Sequence, residues 1–259
     1  MDLSGAKALV TGGGGGLGTH ISLALARAGA DVAVTYLSRR DEAEAVCAQV
    51  EALGRRAMAA QMDIADAEAI AEAVRTVAEG WGGLDVLVNC AGRGRPVLPG
   101  EDAPRQVDLG DIEALVPELF DLLMAINMRG PFLAARAAAP WLRSSGRGRI
   151  VTIGSTIGFS PQESGIAFAM AKAGAVPLTR YLAATLAPDV LVNCVAPGLI
   201  EGTGMTGAAS QQYIDGWRDK AMLKRTTRPE DVAAQVVALV QSESTTGQTV
   251  VVDGGISFH

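Results

Sequence analysis

Apolar runs along this chain are short and rich in β-branched residues, and they alternate with longer stretches in which apolar positions recur every three or four residues. Residues 6–10, 31–35, 57–62, 84–88, 149–153, 190–195 and 249–252 form the first kind and predict about seven strands. The second kind is seen in Leu17, Ile21, Leu25 and Ala28, closed by Gly29, and in Val46, Val50 and Leu53, closed by Gly54. A glycine at that point supplies the left-handed residue that ends a helix. Each strand therefore hands over to a helix. Repeated β-then-α units return every strand parallel to its predecessor, which predicts an α/β fold: a Rossmann-type doubly wound parallel sheet with helices on both faces. The runs "VLVN" and "VVVD" lack alternation, as strands buried on both faces should. Residues 93–109, rich in Gly, Pro and charge, read as an exposed loop, and Pro117 suits the first turn of the helix that follows.

Composition narrows the partners. The chain has 259 residues, 49% hydrophobic and 19% charged, and reads as one domain over 1–259. Acidic residues exceed basic ones, 28 to 22, for a net charge of -6, so the overall field repels nucleic acid. Cys47, Cys90 and Cys194 stand far apart without metal-ligand spacing, so they are expected to be reduced packing residues, with no metal site. No export signal or bilayer-length apolar run is visible, so a soluble cytoplasmic protein without membrane contact is expected.

The most informative stretch is Thr11-Gly12-Gly13-Gly14-Gly15-Gly16-Leu17-Gly18, at the end of the first strand and the start of the first helix. Bare glycine backbone there lets amide N–H groups approach a pyrophosphate, at the helix end where the dipole favours negative charge. A nicotinamide dinucleotide is the expected ligand. Thr11, Gly12, Gly16 and Gly18 resemble the T-G-x-x-x-G-x-G signature of the short-chain dehydrogenase/reductase family, with Leu17 inside it. Further matches follow in order: Asp63-Ile64 after the third strand, where the family contacts adenine; Asn89-Cys90-Ala91-Gly92, similar to its N-N-A-G with Cys90 for the second Asn; and Pro197-Gly198 after the sixth strand. Asn127, Ser155 and Lys172 fall where the resemblance puts the catalytic Asn, Ser and Lys, the last also binding coenzyme. The family is commonly dimeric or tetrameric, so a homotetramer or homodimer is implied.

The choice of coenzyme is read at the end of the second strand. An acidic residue there would bind the ribose 2′-hydroxyl of NAD, but the chain has Tyr36, followed by Ser38, Arg39 and Arg40. A guanidinium matches a 2′-phosphate, so NADP(H) is favoured and NAD(H) stays open. The bland alternative is that both arginines simply open a solvated helix with Asp41, Glu42 and Glu44.

The catalytic set has a gap. Reducing a ketone creates an alkoxide, and the resemblance implies a tyrosine four residues before the lysine as its proton donor. Here that position is Phe168. Phenylalanine keeps the ring and deletes the acid, which fits three readings: an engineered Tyr-to-Phe change that traps substrate, a natural reductase of substrates needing no acid, such as an iminium carbon, or a cofactor-binding scaffold or sensor without turnover. Tyr181, nine residues after Lys172, reads as core; Tyr213 lies in the 199–223 segment that the resemblance implies is a mobile lid, and could approach or contact substrate. His20 reads as structural and His259 matters only if the tail folds into a site. Walls for a small-molecule substrate are expected from 94–109, 156–164 and the lid, with Phe159, Gln162, Met205, Tyr213 and Trp217 as candidates and Ser155 polarising its oxygen. The resulting expectation is an NADP-dependent oxidoreductase acting on a ketone or secondary alcohol, impaired at position 168.

Overall fold

The computed structural model describes residues 1–104, 108–159, 165–207 and 209–258. The strands are β1 (Lys7–Thr11), β2 (Asp31–Tyr36), β3 (Ala57–Gln61), β4 (Val86–Asn89), β5 (Gly148–Ile153), β6 (Val190–Pro197) and β7 (Thr249–Val252). They form one seven-stranded sheet in the order β3-β2-β1-β4-β5-β6-β7, with every pairing parallel. The expected sheet is therefore present. Several strands run a residue or two past the apolar stretch, because main-chain pairing continues beyond it, as with Thr11 opposite Asn89 and Pro197 opposite Val252, while β4 begins at Val86, two residues later than expected.

Helices cover both faces: α1 (Leu17–Arg27), α2 (Arg40–Ala52), α3 (Ala67–Trp81), α4 (Pro117–Met124), α5 (Gly130–Ser144), α6 (Ile166–Leu186), α7 (Gln211–Lys220) and α8 (Pro229–Gln241). The pleat of β1 sorts its residues between two cores. Ala8 and Val10 join Ile21, Leu25, Val46 and Val236 of α1, α2 and α8, whereas Leu9 joins Ile70, Val74, Ala138 and Leu142 of α3 and α5. Such sandwiching leaves the carboxyl ends of the strands as the open edge, and the order reverses between β1 and β4, the switch point at which sheets of this kind form a ligand crevice.

Pro117 does open α4, and Gly29 and Gly54 have positive φ as expected of helix-ending residues. The reading of 93–109 as simply exposed needs correction. Leu98 and Leu109 are buried in a third cluster with Leu119, Leu123 and Ala167, and the Leu109 carbonyl accepts from the Ile166 amide at 2.9 Å. Burying these two leucines pins an otherwise polar stretch onto α4 and α6. Tyr181 also differs from expectation: it is 75% exposed, because its position on the long α6 turns away from the sheet.

The β1–α1 turn is built from glycines for separate steric reasons. Gly12 and Gly16 have φ of 64° and 47°, which side-chain-bearing residues rarely adopt. A Cβ on Gly18 would stand 2.2 Å from the Gly12 carbonyl oxygen, on Gly13 2.6 Å from Val34 Cγ1, and on Gly14 2.7 Å from Ala43 Cα. Gly18→Ala should therefore lower stability by about 1–3 kcal/mol or more, through overpacking against fixed backbone. A denaturant midpoint equal to that of the unaltered protein would contradict this packing.

Candidate functional site

The glycine turn has the properties of an anion seat. Helix α1 has no side-chain cap and no acidic residue in its first turn, unlike α3, whose Asp66 carboxylate accepts from the Glu68 and Ala69 amides. The Gly18 amide bonds the Gly15 carbonyl at 2.9 Å, and the other amides at this end, beginning at Leu17, face no side-chain cap and suit an outside acceptor. The turn itself is braced. Thr35 Oγ1 accepts from the Gly12 amide at 3.0 Å, and Thr11 Oγ1 accepts from the amides of Cys90 and Ala91, each at 3.0 Å. A Cβ on Gly12 would lie 3.0 Å from Ala91 Cα, so the first and fourth βα turns close on each other at the crevice.

The residues expected to face adenosine lie at the ends of β2 and β3. Tyr36 ends β2, and Ser38, Arg39 and Arg40 are exposed beyond it. Arg39 pairs with Glu42 at 3.0 Å and Arg40 with Glu44 at 2.6 Å, the surface pairs that the bland reading expects. Such exposed pairs contribute about 0–1 kcal/mol, less than the roughly 1.5–3 kcal/mol of a hydrogen bond to a charged group, so a phosphate can displace them. Position separates the two arginines. Arg39 Nη2 lies 3.4 Å from where a Cβ of Gly15 would be, directly on the glycine turn. Asp63 is exposed and accepts from the Ala65 amide at 2.8 Å, while Ile64 packs against Gly130, whose Cβ would fall 2.7 Å from Ile64 Cγ1.

At the other end of the crevice, α4 continues through a π-helical turn, Ala125–Arg129, into α5, and this turn holds Asn127. The Asn127 side chain donates to the carbonyls of Arg93 at 2.8 Å and Leu123 at 3.0 Å and accepts from the Arg93 amide at 3.1 Å. Gly92 leaves room for this cluster: a Cβ there would sit 2.9 Å from Asn127 Oδ1 and 3.7 Å from Lys172 Nζ. Lys172 is buried on α6, and its ammonium donates to the Ile153 carbonyl at 2.8 Å and lies 5.7 Å from the centre of the Phe168 ring. Burial lowers its pKa from the usual lysine range, and burial likewise pushes the nearby Cys90 thiol up to about 12. Cys90 is accordingly a thiol, not a thiolate.

Ser155 follows β5 and caps the short 3₁₀ turn Thr156–Gly158, its Oγ accepting from the Ile157 amide at 3.3 Å. That turn is pressed onto α6 at Gly158, where a Cβ would meet the Ala173 amide nitrogen at 2.6 Å. Asn89 donates to the Pro131 carbonyl at 3.2 Å and leaves its Oδ1 buried without a partner among the described residues. Pro197 accepts from Thr156 Oγ1 at 3.4 Å, and the Gly198 amide donates to the Val252 carbonyl at 3.0 Å.

The segment after Gly198 carries α7. Tyr213 packs edge-on to the buried Trp217, ring centres 6.3 Å apart. Thr203, on the same segment, lies over the glycine turn, its Cβ 3.4 Å from where a Cβ of Gly16 would be. Gln162 and His259 lie outside the described residues, and His20 is a partly exposed neighbour of Glu230 at 3.3 Å. Thr35, Arg93, the Ile153 carbonyl and Thr203 complete the arrangement without having been read from sequence, since main-chain atoms and lone hydroxyls leave no motif. Among the described residues no group of three or more His, Cys, Asp or Glu is placed to hold a metal, and no helix is long and apolar enough to cross a membrane.

A family model described as enoyl-(acyl carrier protein) reductase matches residues 13–257. The cyclohexanol dehydrogenase of a Rhodococcus species is 33% identical over 274 residues, covering 100% of this chain and 98% of that protein. The 3-oxoacyl-[acyl-carrier-protein] reductase FabG of Staphylococcus epidermidis is 32% identical over 253 residues, covering 96% and 98%. A crystal structure of a short-chain dehydrogenase from Burkholderia cenocepacia in complex with NADP superposes with a TM-score of 0.87 at 38% identity, covering 99% of each chain. With its sheet order, its glycine turn and these end-to-end similarities in agreement, the chain belongs to the short-chain dehydrogenase/reductase family of oxidoreductases.

Proposed function

We propose that this protein binds NADP(H) and catalyses hydride transfer between the nicotinamide and the oxygen-bearing carbon of a small ketone or secondary alcohol. The observation that carries this reading is the uncapped, glycine-lined end of α1 with the Arg39 guanidinium laid on it, at one end of a crevice whose other end holds Asn127 and Lys172. The NADP in the Burkholderia relative supports the coenzyme assignment. When bound, the coenzyme supplies the hydride. The chain's own groups do the rest: the turn amides hold the pyrophosphate, Asp63 and Ile64 border the adenine, and Asn89, Ala91, Gly92, Pro197 and Gly198 line the crevice. Lys172 reaches the nicotinamide ribose, and Ser155 donates a hydrogen bond to the substrate oxygen as charge develops there.

Phe168 cannot supply the proton that balances the hydride. Its loss of a general acid costs about 10²- to 10⁴-fold in rate, while packing and coenzyme binding survive. A second reading has one supporting observation: position 168, four residues before Lys172, holds a buried phenylalanine with no proton to give. A site without an acid suits an iminium carbon, which becomes a neutral amine on receiving hydride and forms no oxyanion. Residues 1–259 act as one domain, with 199–223 as its lid. Exposed Phe132 on α5 and Met170 and Tyr181 on α6 support assembly into a homodimer or homotetramer.

Two measurements test these roles. Phe168→Tyr should raise kcat for ketone reduction by about 10²- to 10⁴-fold with the coenzyme KM nearly unchanged. No gain alongside brisk turnover of cyclic iminium compounds by the unaltered protein would favour the second reading, and no turnover by either form would leave a coenzyme-binding scaffold. Shortening residues 96–104 should change the preference among carbonyl substrates while leaving NADPH affinity intact, because this stretch starts at the Asn127-bound Arg93 and ends on α6. Identical substrate profiles before and after would remove 93–109 from the pocket wall.

A further inference from the structure

Two glycines with no backbone reason to be glycine face the same guanidinium. Gly15, on the phosphate turn, and Gly204, on the lid segment, both lie outside the set of positive-φ residues. At Gly15 a Cβ would first meet Arg39 Nη2 at 3.4 Å, and at Gly204 it would meet Arg39 Nη2 at 3.6 Å and nothing else within 4 Å. The missing side chains thus define a slot between turn and lid, and the guanidinium fills it. Next to it, Thr203 stands over Gly16 at 3.4 Å, so the lid residues 203–204 lie across 15–16.

The fork of Arg39 is divided. Nη1 binds both oxygens of Glu42, at 3.2 and 3.0 Å, which leaves Nη2 turned into the slot. The Glu42 carboxylate also borders the slot, 3.7 Å from the Cβ position of Gly15. Resting on the NADP(H) reading above, we propose that Arg39 is a coupling residue: the guanidinium that receives the 2′-phosphate also holds the lid against the phosphate turn. A bound 2′-phosphate fixes the guanidinium, and the guanidinium fixes residues 203–204. NADP therefore orders the lid more than NAD does, although the two differ only at the far end of the coenzyme. Reciprocity requires the converse, that a change on the lid at Gly204 alters discrimination between the coenzymes. Arg39 acts here through the lid and touches no reacting atom, so it is a positioning residue for the chemistry.

The test measures binding and needs no turnover. Dissociation constants for NADP⁺ and NAD⁺ are determined for the unaltered protein and for Arg39→Ala, Arg39→Lys, Gly204→Val and, as a lid control, Gly216→Ala, where a Cβ meets nothing within 4 Å. Hydrogen–deuterium exchange of residues 200–207 is followed with each coenzyme at saturation. Gly204→Val puts methyl groups where Nη2 lies and should shift the NADP⁺/NAD⁺ affinity ratio toward NAD⁺ by at least about five-fold, the lower end of ordinary coupling. Gly216→Ala should leave the ratio alone. NADP⁺ should slow exchange in 200–207 more than NAD⁺ does, a difference that disappears in Arg39→Ala and returns only in part in Arg39→Lys, which keeps the charge without the fork. If Arg39→Ala weakens NADP⁺ but Gly204→Val leaves the ratio unchanged, or the exchange difference survives in Arg39→Ala, the coupling is overturned and the coenzyme reading stands. If Arg39→Ala leaves NADP⁺ affinity unchanged, both the coupling and the preference for NADP(H) are overturned.

Discussion

Everything in this molecule that concerns chemistry depends on one contact, the approach of the Gly18 α-carbon to the Gly12 carbonyl at the mouth of α1. That approach lets the first helix begin within a few residues of the first strand, with its unpaired amides aimed into the crevice between β1 and β4. A single methyl group would push the two apart. The sheet order, the two apolar layers and the bracing by Thr11 and Thr35 are what make so close a turn rigid, and a rigid turn can meet an anion without reorganising first.

The opposite end of the crevice works under a different constraint. Lys172 is buried, which opposes its charge, and the structure offsets this with the Ile153 carbonyl and the face of Phe168. Asn127 uses its whole amide to hold the main chain of Arg93 and Leu123, so the π-helical turn and the start of the 93–109 stretch are one hydrogen-bonded unit. Phe168 itself is buried there, its ring facing the Lys172 ammonium at 5.7 Å.

Much of this was legible in the sequence, for identifiable reasons. Strands buried on both faces announce themselves as unbroken apolar runs, so the central strands were readable, with errors of a residue or two at their ends, as at Val86, Asn89 and Pro197. The glycine turn was readable because its spacing is set by local geometry, whereas Asn127, Ser155 and Lys172 were singled out only through the family resemblance. What was not readable depends on three dimensions: that Leu98 and Leu109 would be buried beneath a polar stretch, that Tyr181 would face outward from α6, and that Gly15 and Gly204 would share one guanidinium. Composition described the 93–109 stretch correctly as polar and could not reveal that two leucines in it would find a groove between α4 and α6.

The most direct test of the central claim is a titration of the purified protein with NADPH, followed by coenzyme fluorescence or heat. One saturable site per chain, with affinity in the roughly micromolar to millimolar range usual for such ligands and lost in Gly18→Ala, is the predicted result. A protein that stays folded yet takes up neither NADPH nor NADH would contradict it.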